Sequence, residues 1–162
     1  METLKLFSQN IEQTQALARA LARLLNGGEI LFFEGPIGAG KTVMVKEIVK
    51  SLGVKKTPVS ASFSLLKKYQ NKDFTMYHAD LFRLEEGEMF NLGFEEMLED
   101  ETAVLLVEWP GPAKQFFPQN RLEITVTLLE GDRREITLKA LGKTAQKIIG
   151  GLKKYERKNA KK

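Results

Sequence analysis

The chain has 162 residues, 43% hydrophobic and 28% charged, the make-up of one globular domain rather than of a fibre, a disordered segment or a membrane bundle. It holds no cysteine and one histidine, His78, which excludes a disulfide framework, a thiolate zinc site, a cysteine nucleophile and a histidine-rich metal cluster. The net charge of +4 is unevenly placed: residues 143–162 carry eight Lys or Arg against one acid, Glu156, whereas residues 1–142 carry 17 basic and 20 acidic side chains.

Residues 2–7 alternate enough to form a short strand. Asn10 and Gln13 have the spacing of a helix cap. Apolar residues then recur at Ile11, Ala16, Leu17, Ala20, Leu21, Leu24 and Leu25, a helical stripe ended by Asn26-Gly27-Gly28. Ile30-Leu31-Phe32-Phe33 is an unbroken apolar run, the signature of a strand covered on both faces. A loop over 35–40 leads into a helix from about Lys41 to Leu52, stopped by Gly53. Residues 64–69 and 74–79 predict two strands joined by the polar turn Gln70-Asn71-Lys72-Asp73. Residues 85–99 have helical character, interrupted at Gly93. Residues 103–107 form a second continuous apolar strand, closed by Glu108-Trp109-Pro110. Residues 121–129 and 133–138 predict a hairpin around Glu130-Gly131-Asp132. A final helix starts near Lys143, weakened by Gly150-Gly151.

These elements describe an α/β fold with a mixed sheet, a parallel core flanked by antiparallel hairpins. The organisation expected is a domain over 1–142 followed by a basic C-terminal helix or tail over 143–162. Such a tail is either a solvated end or a weak electrostatic hold on RNA or an acidic partner. The first residues lack the basic segment and apolar run of a signal peptide, and no stretch approaches the roughly 18 apolar residues of a membrane span, so the expected location is the cytoplasm.

Gly35-Pro36-Ile37-Gly38-Ala39-Gly40-Lys41-Thr42 fits G-x-x-x-x-G-K-[ST] at every defined position. The glycines free the backbone to bring its amides against phosphate oxygens. The helix that follows adds free amides and the positive end of its dipole. Lys41 carries a compact charge to the β- and γ-phosphates of ATP, the Thr42 hydroxyl is a magnesium ligand, and Val43 follows them against the nucleotide. By chance the pattern arises in roughly 0.5% of chains this long, and a strand before it with a helix after it makes accident rarer. The motif predicts a P-loop NTPase-type three-layer fold.

Magnesium in such a site needs a second anchor at the end of a buried neighbouring strand. Two acids qualify, Glu108 after 103–107 and Asp80 after 74–79. Glu108 is assigned to magnesium, directly or through water. Asp80 is assigned to the attacking water or the metal's water shell, with helix capping or a pair with Arg83 as the plainer alternative. Lys41, Asp80 and Glu108 are thus the expected catalytic set. Ser60-Ala61-Ser62-Phe63-Ser64 occupies the place of a γ-phosphate-sensing switch, or is ordinary turn chemistry. Trp109 packs in the core or forms a platform at the rim of the site, His78 reads as structural, and Arg83 either neutralises transition-state charge or makes a surface ion pair.

Together these pieces resemble the TsaE family, bacterial P-loop ATPases of the pathway that makes threonylcarbamoyladenosine in tRNA. The resemblance rests on the loop at 35–42, Ser-Ala-Ser-Phe-Ser-Leu at 60–65, Tyr-His-Ala-Asp-Leu-Phe-Arg at 77–83, Leu-Gly-Phe-Glu-Glu at 92–96 and Leu-Val-Glu-Trp-Pro at 106–110. It covers about residues 6–139. It implies an ATPase that docks on the TsaD–TsaB heterodimer, which acts on adenosine 37 of tRNA, and that does not transfer the threonylcarbamoyl group itself; tRNA is then an indirect partner. It implies Lys41 and Thr42 in phosphate and magnesium binding, Glu108 as the magnesium carboxylate, Asp80 as needed for hydrolysis, and Trp109 beside the nucleotide. One departure stands out: where the family has Ser-Pro-Thr-Tyr/Phe-Thr, this chain has Ala61 and Ser62, losing a rigid turn and a methyl group.

The nearest rival is a small-molecule or nucleoside kinase, but only Arg83 lies between Thr42 and Arg121, fewer arginines than such enzymes place over phosphates. A GTPase would need Asn-Lys-x-Asp, which Asn71-Lys72-Asp73 does not supply. A nucleotide-responsive docking module that barely hydrolyses ATP overlaps with the family reading.

Overall fold

The computed structural model describes residues 1–55, 65–85, 87–88 and 93–160. The switch expected at 60–64 and part of the segment at 92–96 lie outside them.

The chain opens with β1 (Glu2–Ser8) and α1 (Ile11–Ala22). The cap forms as the sequence predicts: the Asn10 side chain accepts the Gln13 amide at 2.9 Å, and the Gln13 side chain accepts the Gln9 amide at 2.8 Å. β2 (Ile30–Glu34) and α2 (Lys41–Ser51) flank the glycine-rich loop. β3 (Leu66–Gln70) and β4 (Thr75–Asp80) form the first hairpin, its turn held by Asn71 Oδ1 accepting the amides of Asp73 and Phe74. After α3 (Phe94–Glu99) come β5 (Val104–Glu108), a 3-10 turn at Gly111–Phe116, the hairpin of β6 (Arg121–Leu128) and β7 (Arg134–Leu141), and α4 (Lys143–Asn159).

The strands form one mixed sheet in the order β1-β7-β6-β2-β5-β4-β3. β2 runs parallel to β5 and β6, and β4 parallel to β5, while the other neighbours are antiparallel. The α/β class with a parallel core and antiparallel hairpins is therefore the one the sequence predicts. α1, α2 and α4 cover one face, and α3 with the 3-10 turn covers the central strands on the other. All of β5 is buried, which is why its sequence does not alternate. β6 and β7 do alternate, with Leu122, Ile124, Val126, Ile136, Leu138 and Ala140 turned into the core.

Two helices differ from expectation. The pattern at 85–99 gives, among the described residues, only Phe94–Glu99 as α-helix, because Gly93 takes a left-handed φ of 79° and starts the helix afresh. Gly150-Gly151 does not interrupt α4. A Cβ at Gly151 would lie 2.5 Å from the Leu24 side chain, so this glycine lets α4 press close to the end of α1. Ala145, Ile148, Ile149 and Leu152 of α4 join the core, leaving Lys143, Lys147, Lys154, Arg157 and Lys158 exposed. Among the described residues no helix is long and apolar enough to cross a membrane.

Candidate functional site

Strand register sets the site. Asp80 and Glu108 are directly opposite across β4 and β5, and Glu108 is opposite Phe33 of β2. Three parallel strands thus end at one level, where the chain after each must turn outward. Two-residue alternation puts Met76, His78 and Asp80 on the α2 face of β4, with Leu106 and Glu108 beside them on β5.

The loop itself is shaped by glycine. Gly35 has φ 134°, and a Cβ there would sit 2.2 Å from the Val126 carbonyl oxygen, so β6 approaches the loop as only glycine permits. Gly38 and Gly40 also have positive φ, at 78° and 106°, but open space around them. The Ala39 amide donates to the Pro36 carbonyl at 3.1 Å, and Arg134 Nε donates to the Ala39 carbonyl at 3.1 Å, tying the loop to β7. α2 opens at Lys41 with no side-chain cap, which leaves its first amides to other acceptors.

Lys41, Thr42, Asp80, Glu108 and Trp109 meet in one cleft of about 350 Å³, together with Ile37, Gly38, Gly40 and Val43. Gly35 and Pro36 line the neighbouring cleft on the far side of Phe82 and Trp109. Lys41 Nζ donates to the carbonyls of Gly35 at 2.6 Å and Pro36 at 2.8 Å, and lies 4.0 Å from the centre of the Trp109 ring. Burial lowers its pKa against the opposing pull of Glu108 and Asp80. Thr42 Oγ1 donates to Glu108 Oε1 at 2.6 Å, and the other oxygen of this buried carboxylate is 2.6 Å from His78 Nε2. Asp80 is half-buried, and burial raises its pKa although the Phe82 amide donates to it at 3.1 Å.

Trp109 is the one non-glycine residue with positive φ, 54°, among those described. Its amide donates to the Phe33 carbonyl at 3.1 Å, and its ring tilts against Phe82 at 4.8 Å, so it stands at the rim of the cleft rather than in the core. Such backbone strain is characteristic of functional sites. Arg83 is exposed, with no ion pair among the described residues, and the alternative pairing of Asp80 with it is not formed.

Sequence reasoning missed three parts of this arrangement. His78 is fully buried against Glu108, a contact readable only from the shared alternation with Asp80. Phe82 backs Trp109. A second cleft of about 400 Å³ continues the loop on its other flank, between Asn10, Ile11 and Thr14 at the start of α1, Val43, and Asp132 and Arg134 of the second hairpin. No motif marks it.

The donor set fits magnesium bound to a phosphate. A threonine hydroxyl and a carboxylate are hard oxygen donors, side by side at the head of α2. Among the described residues no group of three or more His, Cys, Asp and Glu could hold a metal ion. Magnesium characteristically takes one or two protein oxygens and completes its shell with water and substrate phosphate.

Comparison with known proteins identifies the family and a structure of the same fold. A family model described as threonylcarbamoyl adenosine biosynthesis protein TsaE matches residues 8–136. The tRNA threonylcarbamoyladenosine biosynthesis protein TsaE of Bacillus subtilis is 33% identical over 96% of this chain and 98% of its own. That of Rickettsia felis is 36% identical over 80% of this chain and 75% of its own. The crystal structure of Bacillus subtilis YdiB superposes with a TM-score of 0.76 at 30% identity, covering 96% of this chain and 97% of that one.

Proposed function

We propose, from the premise that the chain belongs to the TsaE family and so serves tRNA threonylcarbamoyladenosine biosynthesis, that it is a magnesium-dependent ATPase. The observation that carries this reading is the 2.6 Å contact between Thr42 and Glu108 beside the buried Lys41, at the mouth of a glycine loop. The loop amides and the head of α2 cradle the triphosphate. Lys41 exchanges the carbonyls of Gly35 and Pro36 for β- and γ-phosphate oxygens. Magnesium, held by Thr42 and Glu108, would supply charge neutralisation between those phosphates. Asp80 orients the attacking water; its raised pKa suits it to hold a proton from that water as the γ-phosphorus–oxygen bond to ADP breaks. Trp109 walls the phosphates off from solvent, and the second cleft takes the nucleoside.

ATP turnover is slow in the isolated protein and rises on docking to the TsaD–TsaB pair, with tRNA met through that assembly, in the cytoplasm. The test is phosphate release from ATP and GTP with magnesium, for the protein alone and mixed with TsaD and TsaB. Stimulation by the pair is the expected result. Absence of any magnesium-dependent nucleotide affinity refutes the reading, and phosphate transfer to a nucleoside replaces it with a kinase.

A further inference from the structure

His78 touches the site at Glu108 but has no role in the chemistry proposed so far, and it is fully enclosed. Its side chain is fully buried, on the third-last residue of β4, and Nε2 stands 2.6 Å from Glu108 Oε2. The opposite carboxylate oxygen faces Thr42. Nδ1 has no partner among the described residues. A carboxylate only accepts hydrogen bonds, so the contact requires the proton on Nε2.

We propose that His78 is a positioning residue for the magnesium carboxylate: its Nε2–H holds Glu108 Oε2 so that Oε1 stays aimed at Thr42 and the metal. This rests on the nucleotide reading above and deepens it. Glu108 can turn about three side-chain bonds, so its carboxylate keeps the observed orientation only where partners hold it. Thr42 alone does not fix the carboxylate, because its hydroxyl is itself a metal ligand in the proposed site. His78 is fixed by β-sheet pairing on both sides, opposite Lys67 of β3 and Leu106 of β5, so it can act as an anchor. Groups that orient a metal ligand in this way are worth about 10–100-fold in metal affinity when removed.

The test compares His78→Gln, which keeps an N–H donor at nearly the reach of Nε2, with His78→Asn, whose amide is one methylene too short. Each folded variant is titrated with a fluorescent ATP analogue in EDTA and across a magnesium series, and Mn²⁺ binding to the nucleotide complex is followed by electron paramagnetic resonance. The expected result is unchanged affinity in EDTA for both. For His78→Asn the metal half-saturation rises about 10–100-fold, whereas His78→Gln stays within about threefold of the parent. A normal metal titration for His78→Asn overturns the inference, as does a Gln variant as impaired as the Asn one, or loss of affinity in EDTA. A parent protein whose nucleotide affinity ignores magnesium brings down the functional reading and this inference with it; the other results bring down this inference alone.

Discussion

Replacing Gly35 with alanine separates what the loop contributes to the fold from what it contributes to binding. The new Cβ would lie 2.2 Å from the Val126 carbonyl oxygen, well inside the 3.4–4 Å of ordinary contact, and φ there is 134°. That neighbour cannot yield cheaply. Val126 sits inside β6, paired in register with Ile136, and the oxygen is backbone rather than the end of a flexible side chain. Strain of about 1–3 kcal/mol for the backbone conformation, with the steric conflict added, gives a loss of roughly 3–5 kcal/mol. For a protein of this size each kcal/mol moves Tm by about 2–4 °C, so Gly35→Ala lowers Tm by about 6–20 °C. Gly38→Ala and Gly40→Ala meet no atom within 4 Å. They carry only the left-handed penalty of about 1–2 kcal/mol and lower Tm by a few degrees, but they reorient the loop amides and weaken nucleotide affinity. Thermal melts paired with binding titrations of the three variants read the contrast. A Tm for Gly35→Ala equal to that of the parent refutes the reasoning, because the close approach of β6 would then not constrain the loop.

Two further outcomes follow from the carboxylates. Glu108→Gln keeps the shape between Thr42 and His78 and keeps nucleotide binding in EDTA, but loses magnesium-dependent phosphate release by about 10²-fold or more; normal turnover in the folded variant removes the metal assignment. Asp80→Asn stabilises the protein at neutral pH, since burial raises the carboxyl pKa and the ionised form therefore opposes folding; the gain is full above the raised folded value and vanishes below the unfolded value of about 3.9, as denaturant melts across pH would show.

The parts of the fold that could be read from sequence are those where one local rule decides. Residues 30–33 and 103–107 announce buried parallel strands because neither face needs a polar residue. The loop announces itself because backbone amides can approach phosphate only where side chains are missing. Asn10 with Gln13 fixes the start of α1 because the first helical amides need an acceptor within reach. The remainder depends on partners distant in sequence. Gly151 looks like a helix breaker until Leu24 is seen against it. His78 looks like an isolated strand histidine until register sets it beside a carboxylate thirty positions away. The second cleft joins the start of α1 to the tip of the second hairpin, and no periodicity encodes that meeting.

The site also shows why this protein cannot tolerate a shift in strand pairing. Phe33, Glu108 and Asp80 are aligned across β2, β5 and β4, and the amides beyond the strand ends continue the alignment: Leu81 donates to the Glu108 carbonyl at 3.0 Å and Trp109 to the Phe33 carbonyl at 3.1 Å. Moving β5 by one residue would exchange Glu108 for Val107 or Trp109 and turn every β5 side chain to the opposite face. A carboxylate would then enter the layer packed on α3, and Thr42 would face an apolar side chain. The apolar residues flanking Glu108 forbid that exchange: Leu106 belongs to the core shared with α1 and α2, and Val107 to the core shared with α3. The two hydrophobic layers therefore fix Glu108 beside Thr42 to within one residue, and the geometry of the cleft is maintained by the same burial that holds the sheet together.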